Sequence, residues 1–308
     1  MAGKVYAWIY ALRLQTLPLA LATVITGNAT AYFLHKEKFS WVTAGLCAVT
    51  ALLLQILSNL ANDYGDSRKG TDNEKRIGPP RAMQLGLLST REILAGITAT
   101  ALLSFISGCA LLYVALRHEP VQVFSFFLLL GLAAIASAIF YTVGKYAYGY
   151  QGLGDVFVLL FFGLVGVGGC YYLQAKALEW TVALPAIGMG ALAAGVLHLN
   201  NMRDAENDAA SGKITLAVRL GPEYSKWYHL GLIAMAYIGC IAFSVIHFRS
   251  TIQFLFIITI PLMRGHVEEV YRIVKPEGFN PQLRTLALAT FIISVLYAVG
   301  LAWGVHEG

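Results

Sequence analysis

Long apolar stretches, separated by short polar ones, organise the chain. Nine windows stand out, at 14–34, 41–60, 93–115, 121–141, 153–173, 180–200, 227–247, 251–265 and 285–304. A helix needs about 20 apolar residues to cross a hydrocarbon layer of ~30 Å. The windows therefore predict nine transmembrane helices, of which the short eighth either tilts among its neighbours or inserts only in part. Sustained alternation with a period of two is lacking, which argues against a β-barrel. The expected fold is all-α, a polytopic bundle forming a single domain over 1–308. The apolar opening superficially resembles a signal peptide. Arg13 interrupts it, however, and the next stretch is long enough to span, so it is expected to be retained.

The charged residues between the windows carry a second pattern. With nine spans and the N-terminus inside, 17 of the 22 Lys and Arg fall on one side and 5 on the other. Such a bias marks the cytoplasmic side and predicts N-inside, C-outside. Six of the 17 (Arg68, Lys69, Lys75, Arg76, Arg81 and Arg91) lie between the second and third windows. The long connections, about 61–92, 201–226 and 266–284, also fall on that side, so chemistry is expected there.

Composition agrees. Hydrophobic residues make up 57%, charged residues 13%, and the mean hydropathy is +0.65. A soluble fold could not hide so much apolar surface, and a disordered chain would not carry it. The net charge of +5 then reflects the loop bias and not a nucleic-acid partner. Cys47, Cys109, Cys170 and Cys240 are far apart inside apolar windows, without a CxxC or a Cys/His pair, and read as small core residues.

Candidate chemistry is concentrated in the aspartates. There are six, Asp63, Asp66, Asp72, Asp155, Asp204 and Asp208, and five fall in two short stretches after even-numbered windows. One runs Asn59-Leu-Ala-Asn62-Asp63-Tyr-Gly-Asp66-Ser-Arg68-Lys69-Gly70-Thr-Asp72; the other is Asn200-Asn201-Met-Arg203-Asp204-Ala-Glu206-Asn207-Asp208. Residues four apart share a helix face, so Asn62 pairs with Asp66 and Asp204 with Asp208. Asn201 joins the second face from three positions earlier. Carboxylates in such columns repel unless a cation lies between them. Oxygen ligands without a nearby Cys or His cluster suit Mg²⁺. Arg68, Lys69, Arg76 and Arg81 near the first column, with Arg203, Lys213 and Arg219 near the second, complete a site for a diphosphate. The spacing of the two stretches suggests two similar halves, about 1–150 and 151–308, facing one site.

These motifs, with Leu12-Arg13-Leu-Gln-Thr16-Leu-Pro18, Gly152-Leu-Gly154-Asp155 and NNMRDAENDAASGKITLAVRLG, resemble the UbiA superfamily of intramembrane prenyltransferases. Most similar is its 1,4-dihydroxy-2-naphthoate prenyltransferase branch, which acts in menaquinone biosynthesis. The resemblance covers most of the chain to about residue 225. It implies nine helices around a cavity opening sideways to the bilayer, with Mg²⁺ and a polyprenyl diphosphate at the cytoplasmic end. It also implies transfer of the prenyl group to 1,4-dihydroxy-2-naphthoate with loss of CO₂, in the inner (plasma) membrane. Asn62, Asp66, Asp204 and Asp208 match its motifs; Asp63 and Asp72 join them as expected ligands, and Asp63, Asp66, Asp204 and Asp208 as the catalytic acids. Arg68, Lys69, Arg76, Arg81, Lys145, Asn201, Arg203 and Lys213 are expected on the diphosphate, and Arg13, Tyr141 and Asp155 on the acceptor. Tyr148 and Tyr150 are either interfacial anchors or part of the site, and His198 reads as a packing residue. The alternative acceptor is 4-hydroxybenzoate. An ion-coupled transporter would need polar residues through the depth of the bilayer, which the one-sided acids do not supply.

Overall fold

In this computed structural model, which describes residues 2–74 and 76–307, every long element is a helix. Lys75 lies outside the described residues. The helices are α1 (Ala2–Leu12), α2 (Leu17–Leu34), α3 (Trp41–Lys69), α4 (Thr90–Leu116), α5 (Val121–Phe140) and α6 (Gly154–Ala175). They continue as α7 (Ala183–Ala210), α8 (Leu216–Ile246), α9 (Ile260–Arg272, entered through a 3₁₀ run, Thr251–Thr259) and α10 (Phe279–Glu307).

Among the described residues, eight helical runs are long and apolar enough to cross a membrane. The short eighth window becomes the 3₁₀ run and α9. It returns the chain to the end where α8 began, because Lys226 Nζ donates to Tyr271 O at 3.1 Å. Its last turns bear Arg264, Glu268, Glu269 and Arg272, which explains the shortness of the window. α1 is an addition to the sequence reading: Arg13, at φ 50°, breaks it from α2.

Two windows also underestimate their helices. α3 runs nine residues past its window, to Lys69, and α7 ten past its own, to Ala210. Both acidic stretches therefore begin on helices. The two ends are capped alike. Gly70 has φ 74°, Gly70 N donates to Ser67 O at 3.3 Å and Thr71 N to Asp66 O at 3.1 Å. Gly212 has φ 72°, Gly212 N donates to Ala209 O at 3.1 Å and Lys213 N to Asp208 O at 2.8 Å. This paired capping requires a left-handed residue, which glycine adopts without strain.

Packing is graded from the centre outwards. α7 is mostly buried, whereas α5 has no buried residue. α5 exposes Phe126, Leu129 and Leu132, an apolar face that suits lipid. α6 approaches α7 closely across a π-helical stretch, Leu159–Val167; a Cβ on Gly163 would lie 2.5 Å from Ala186 O. Several hydroxyls inside the bundle are satisfied within their own helix, as an apolar layer favours. Thr26 and Thr30, for example, donate to carbonyls four residues back at 2.9 and 2.8 Å. Trp41 and Trp180 are exposed at one end and Tyr224 and Trp227 at the other, as interfacial anchors are.

Candidate functional site

A cavity of about 1220 Å³ runs through the bundle, lined mainly by α2 to α7 and α10. Along α3 the lining residues are Cys47, Thr50, Ala51, Leu54, Gln55, Ser58, Asn59, Asn62, Asp63 and Asp66. This strip follows the helical repeat, apolar at depth and acidic at its end. On α7 the strip is Ala193, Val196, Leu197, Asn200 and Arg203. The cavity-facing amide of this helix is thus Asn200. Asn201, the residue expected from its spacing to Asp204, is buried off the cavity with Oδ1 lacking a hydrogen-bond partner. One residue is about 100° of helix rotation, enough to turn it away.

Asp66 is buried, and Tyr150 OH donates to its Oδ1 at 2.8 Å. Thr71 Oγ1 meets the same hydroxyl at 2.7 Å, and Asn207 Nδ2 on α7 reaches Thr71 O at 2.8 Å. The ends of α3 and α7 are therefore joined directly. Asn62 Oδ1 accepts a 3.3 Å hydrogen bond from Thr142 Oγ1. Both oxygens of Asp63 are buried without a hydrogen-bond partner, although the Ala82 and Met83 amides face them.

The second acidic column is held by its own cations. Arg203 grips Asp204 with Nε at 2.9 Å and Nη2 at 2.6 Å, and also reaches Asn200 Oδ1 at 2.8 Å and Asn280 Oδ1 at 3.0 Å. Lys213 Nζ lies 3.4 Å from Asp208 Oδ2. Arg203 and Lys213 line the cavity, and Asp204 and Asp208 stand behind them. Burial pulls the Lys213 ammonium down, but Asp66, Asp208 and Asp204 together hold it above the usual lysine value. One cation thus answers acids from both stretches.

The α3–α4 connection folds over this rim. Arg76 Nη1 binds Asp72 Oδ1 at 2.8 Å and comes within 3.9 Å of Asp204 Oδ2; Arg81 Nε lies 3.7 Å from Asp72 Oδ1. Gly78 lets the loop lie on Arg203, since a Cβ there would clash with the guanidinium. Burial, and then the like charge of Arg76, lowers the Arg81 pKa. Asp72 itself does not line the cavity; its task here is to hold two arginines that do.

Arg13 and Tyr141 line the same cavity, with Tyr148 and Phe157 stacked at 4.0 Å between ring centroids. Burial raises the Tyr141 hydroxyl well above its usual value and pushes Tyr148 up to about 12; burial and then Asp66 raise Tyr150. All three stay neutral. Asp155, by contrast, is buried away from the cavity, 3.1 Å from His198 Nδ1. Its pairing gives His198 a partner within the helix packing. Lys69 leaves the cavity to sit 3.8 Å above the Tyr150 ring, on which Lys213 also bears at 5.6 Å. Arg68 and Lys145 are exposed and do not line the cavity.

Sequence reading missed Thr71, Asn207 and Asn280. Asn207 had a signal, being three residues after Asp204 on neighbouring helix surface. Asn280 had none, because its approach depends on how α10 packs.

These residues fit Mg²⁺. Asn62, Asp66, Asp204 and Asp208 offer hard oxygens, free of thiolate or imidazole competition, and the region already draws in Lys213 as a cation. Among the described residues no three acidic, His or Cys side chains are close enough to hold an ion alone. Magnesium commonly accepts that arrangement, completing its shell with water and substrate phosphate.

Comparison with known proteins identifies the family and the fold. Residues 20–295 match the UbiA prenyltransferase family. The 1,4-dihydroxy-2-naphthoate octaprenyltransferase of Haemophilus influenzae is 44% identical over 98% of this chain and 97% of its own. The apo structure of a UbiA homolog from Aeropyrum pernix superposes with a TM-score of 0.70 at 18% identity, covering 93% of this chain and 98% of that one. A UbiA homolog from Archaeoglobus fulgidus bound to DMAPP and Mg²⁺ gives 0.61 at 17% identity, over 96% and 99%. At those identities the two structures speak for the fold. By family match and by full-length similarity, this chain belongs to the UbiA prenyltransferase family.

Proposed function

We propose that the protein transfers a polyprenyl group from polyprenyl diphosphate to 1,4-dihydroxy-2-naphthoate, with loss of the carboxyl group as CO₂, to give demethylmenaquinone. The reaction is Mg²⁺-dependent and takes place at the cytoplasmic rim of a plasma-membrane bundle. The observation that carries this reading is the meeting of two acidic helix ends around Lys213 at the polar mouth of a long apolar cavity. The naphthoate specificity draws support from the name of the Haemophilus influenzae relative.

Asn62, Asp66 and Asp208 would hold the metal, which supplies charge to neutralise the departing diphosphate. Arg203, Arg76 and Lys213 bind the diphosphate oxygens, as a cluster of fixed donors does. Asp204 and Asp72 orient those arginines. Leu19, Val24, Leu112 and Phe161 line the apolar depth where an isoprenoid tail is accommodated. The same walls exclude water, which would otherwise capture the allylic cation as the C–O bond breaks. The ring carbon of the acceptor then forms the new C–C bond, and no covalent protein nucleophile is needed.

The test incubates membranes containing the protein with radiolabelled prenyl diphosphate, Mg²⁺ and each acceptor in turn. Prenylated product from 1,4-dihydroxy-2-naphthoate, lost on adding EDTA, is the expected result. Product from 4-hydroxybenzoate alone would overturn the acceptor assignment, and no product with either would overturn the reaction.

A further inference from the structure

The buried face of α9 is a stripe of Met263, His266 and Val270, spaced three and four apart as a packed helix face is. Two of the three are apolar. The imidazole between them is buried as well, and a buried polar ring is costly unless its nitrogens are paired. Both are. His266 Nδ1 lies 2.7 Å from Gln282 Oε1 on α10, and its Nε2 lies 3.0 Å from His229 Nε2 on α8. With the Gln282 oxygen accepting, His266 carries its proton on Nδ1, and His229 donates to its Nε2. An apolar residue would fill the stripe equally well. What the imidazole adds is a directed link from α8 through α9 to the start of α10.

Gln282 sits two residues after Asn280, through which α10 reaches the diphosphate site. Two residues are about 200° of helix rotation, so the two amides leave the first turn of α10 on opposite sides. Asn280 accepts from Arg203 Nη1 on α7 at 3.0 Å, and Gln282 accepts from His266 on α9. The turn is weak by itself. Between the two amides stands Pro281, which has no backbone N–H and disfavours the helical region for Asn280 before it. Helix ends also fray. The first turn of α10 is therefore held from outside, by Arg203 on one side and His266 on the other, with Phe279 anchored in the core.

The aim of Arg203 depends on that turn. A guanidinium has five N–H groups in one plane. Asp204 takes two, from Nε and Nη2; Asn200 takes the other on Nη2, and Asn280 takes one of the two on Nη1. Among the described residues this leaves one N–H, on Nη1, in a side chain that lines the cavity. Asp204 and Asn200 fix one side of the fork, and Asn280 fixes the side that carries this last donor.

We propose that His266, which lies outside the cavity, is a positioning residue for the diphosphate. By holding Gln282 it fixes the first turn of α10, and through Asn280 it sets the Arg203 guanidinium. The proposal rests on the function proposed above, in which Arg203 binds diphosphate oxygens, and deepens it.

The test measures Mg²⁺-dependent binding of an unreactive prenyl thiodiphosphate to the full-length protein in detergent. The KM values for prenyl diphosphate and 1,4-dihydroxy-2-naphthoate are measured in parallel. His266→Leu removes both hydrogen bonds. It should weaken thiodiphosphate binding and raise the prenyl diphosphate KM by about tenfold, the loss of roughly one hydrogen bond to a charged group. The naphthoate KM should change less than about twofold, as for an independent site. Two polar variants separate positioning from packing. His266→Asn places an N–H near the position of Nδ1 and should recover most of the affinity. His266→Gln places its amide near Nε2, on the His229 side, and should not. Asn280→Ala should also cost about tenfold, and adding His266→Leu to it should cost less than about twofold more, as for residues that act through one another. Should His266→Leu fail to fold, Gln282→Met cuts the same hydrogen bond from α10 and carries the same expectations. Unchanged thiodiphosphate binding, a parallel rise in both KM values, equal recovery by Asn and Gln, or additive losses with Asn280→Ala would each overturn the positioning role. Wild-type protein that binds the thiodiphosphate but prenylates neither acceptor would sink the reaction proposed above, while the binding measurements would still decide the role of His266.

Discussion

The last turns of α3 and α7 share one backbone design but present opposite chemistry. In each, an aspartate (Asp66 or Asp208) is followed four residues later by a left-handed glycine, and the next amide returns to the aspartate carbonyl. The residue after that glycine is Thr71 in one case and Lys213 in the other. On α3, Asn62, Asp63 and Asp66 line the cavity themselves, and Asp66 receives only the neutral Tyr150 hydroxyl. On α7 the acids stand behind Arg203 and Lys213. One helix end therefore brings carboxylates to the cavity and the other brings cations. A metal-bound diphosphate needs both, and equal sets of bare acids would leave its own negative charge unanswered.

Substitutions can break this contrast to different degrees. Asp66→Ala strips the α3 end of its cavity-facing acid and should lower Mg²⁺-dependent turnover by at least about 10³-fold, the upper range for losing one fixed electrostatic group. Membrane insertion, followed by detergent extraction and gel filtration, should be unaffected. Next, Lys213→Met removes the cation shared by the two ends and should lower kcat/KM by about 10²-fold. In EDTA the variant should also melt below the wild type, and added Mg²⁺ should raise its Tm by more than it raises that of the wild type. An equal Mg²⁺ response in the two proteins would show that Lys213 does not offset the acids.

Tyr150→Phe is milder. It deletes one hydrogen bond to Asp66 while keeping the ring beneath Lys69 and Lys213. One such bond to a charged group is worth about 1.5 kcal/mol, so the half-saturating Mg²⁺ concentration should rise roughly tenfold. The smallest effects belong to Arg68→Ala and Lys145→Ala, whose side chains are exposed away from the cavity. Transfer assays on these two should fall within about twofold of the wild type, as for most surface changes.

Nine of the ten helices, α2 to α10, and the two acidic columns were legible in the sequence because each rests on local pattern: window length, hydropathy and spacing of four. Helix ends were less so. Hydropathy stops where the chain leaves the apolar layer, but α3 and α7 continue until a glycine caps them. Facing was harder still. Asn201 and Asn200 differ by one residue, and only the packing of α7 against its neighbours decides that Asn200 meets the cavity. Pairing was out of reach, since sequence spacing cannot reveal that Asp155 spends its carboxylate on His198 or that Asp72 gathers two arginines. Arg13 and Asp63 lie 50 positions apart and line one cavity because the α1–α2 junction is braced against α3.

The claim on which the account rests is that Asp66 and Asp208 serve one site. A double-mutant cycle measures this directly, with Asp66→Asn, Asp208→Asn and their combination assayed for Mg²⁺-dependent binding of an unreactive prenyl thiodiphosphate. A shared site predicts strong non-additivity, with the double variant binding about as weakly as the worse single variant. Losses that simply add would place the two acids in separate sites and contradict the account.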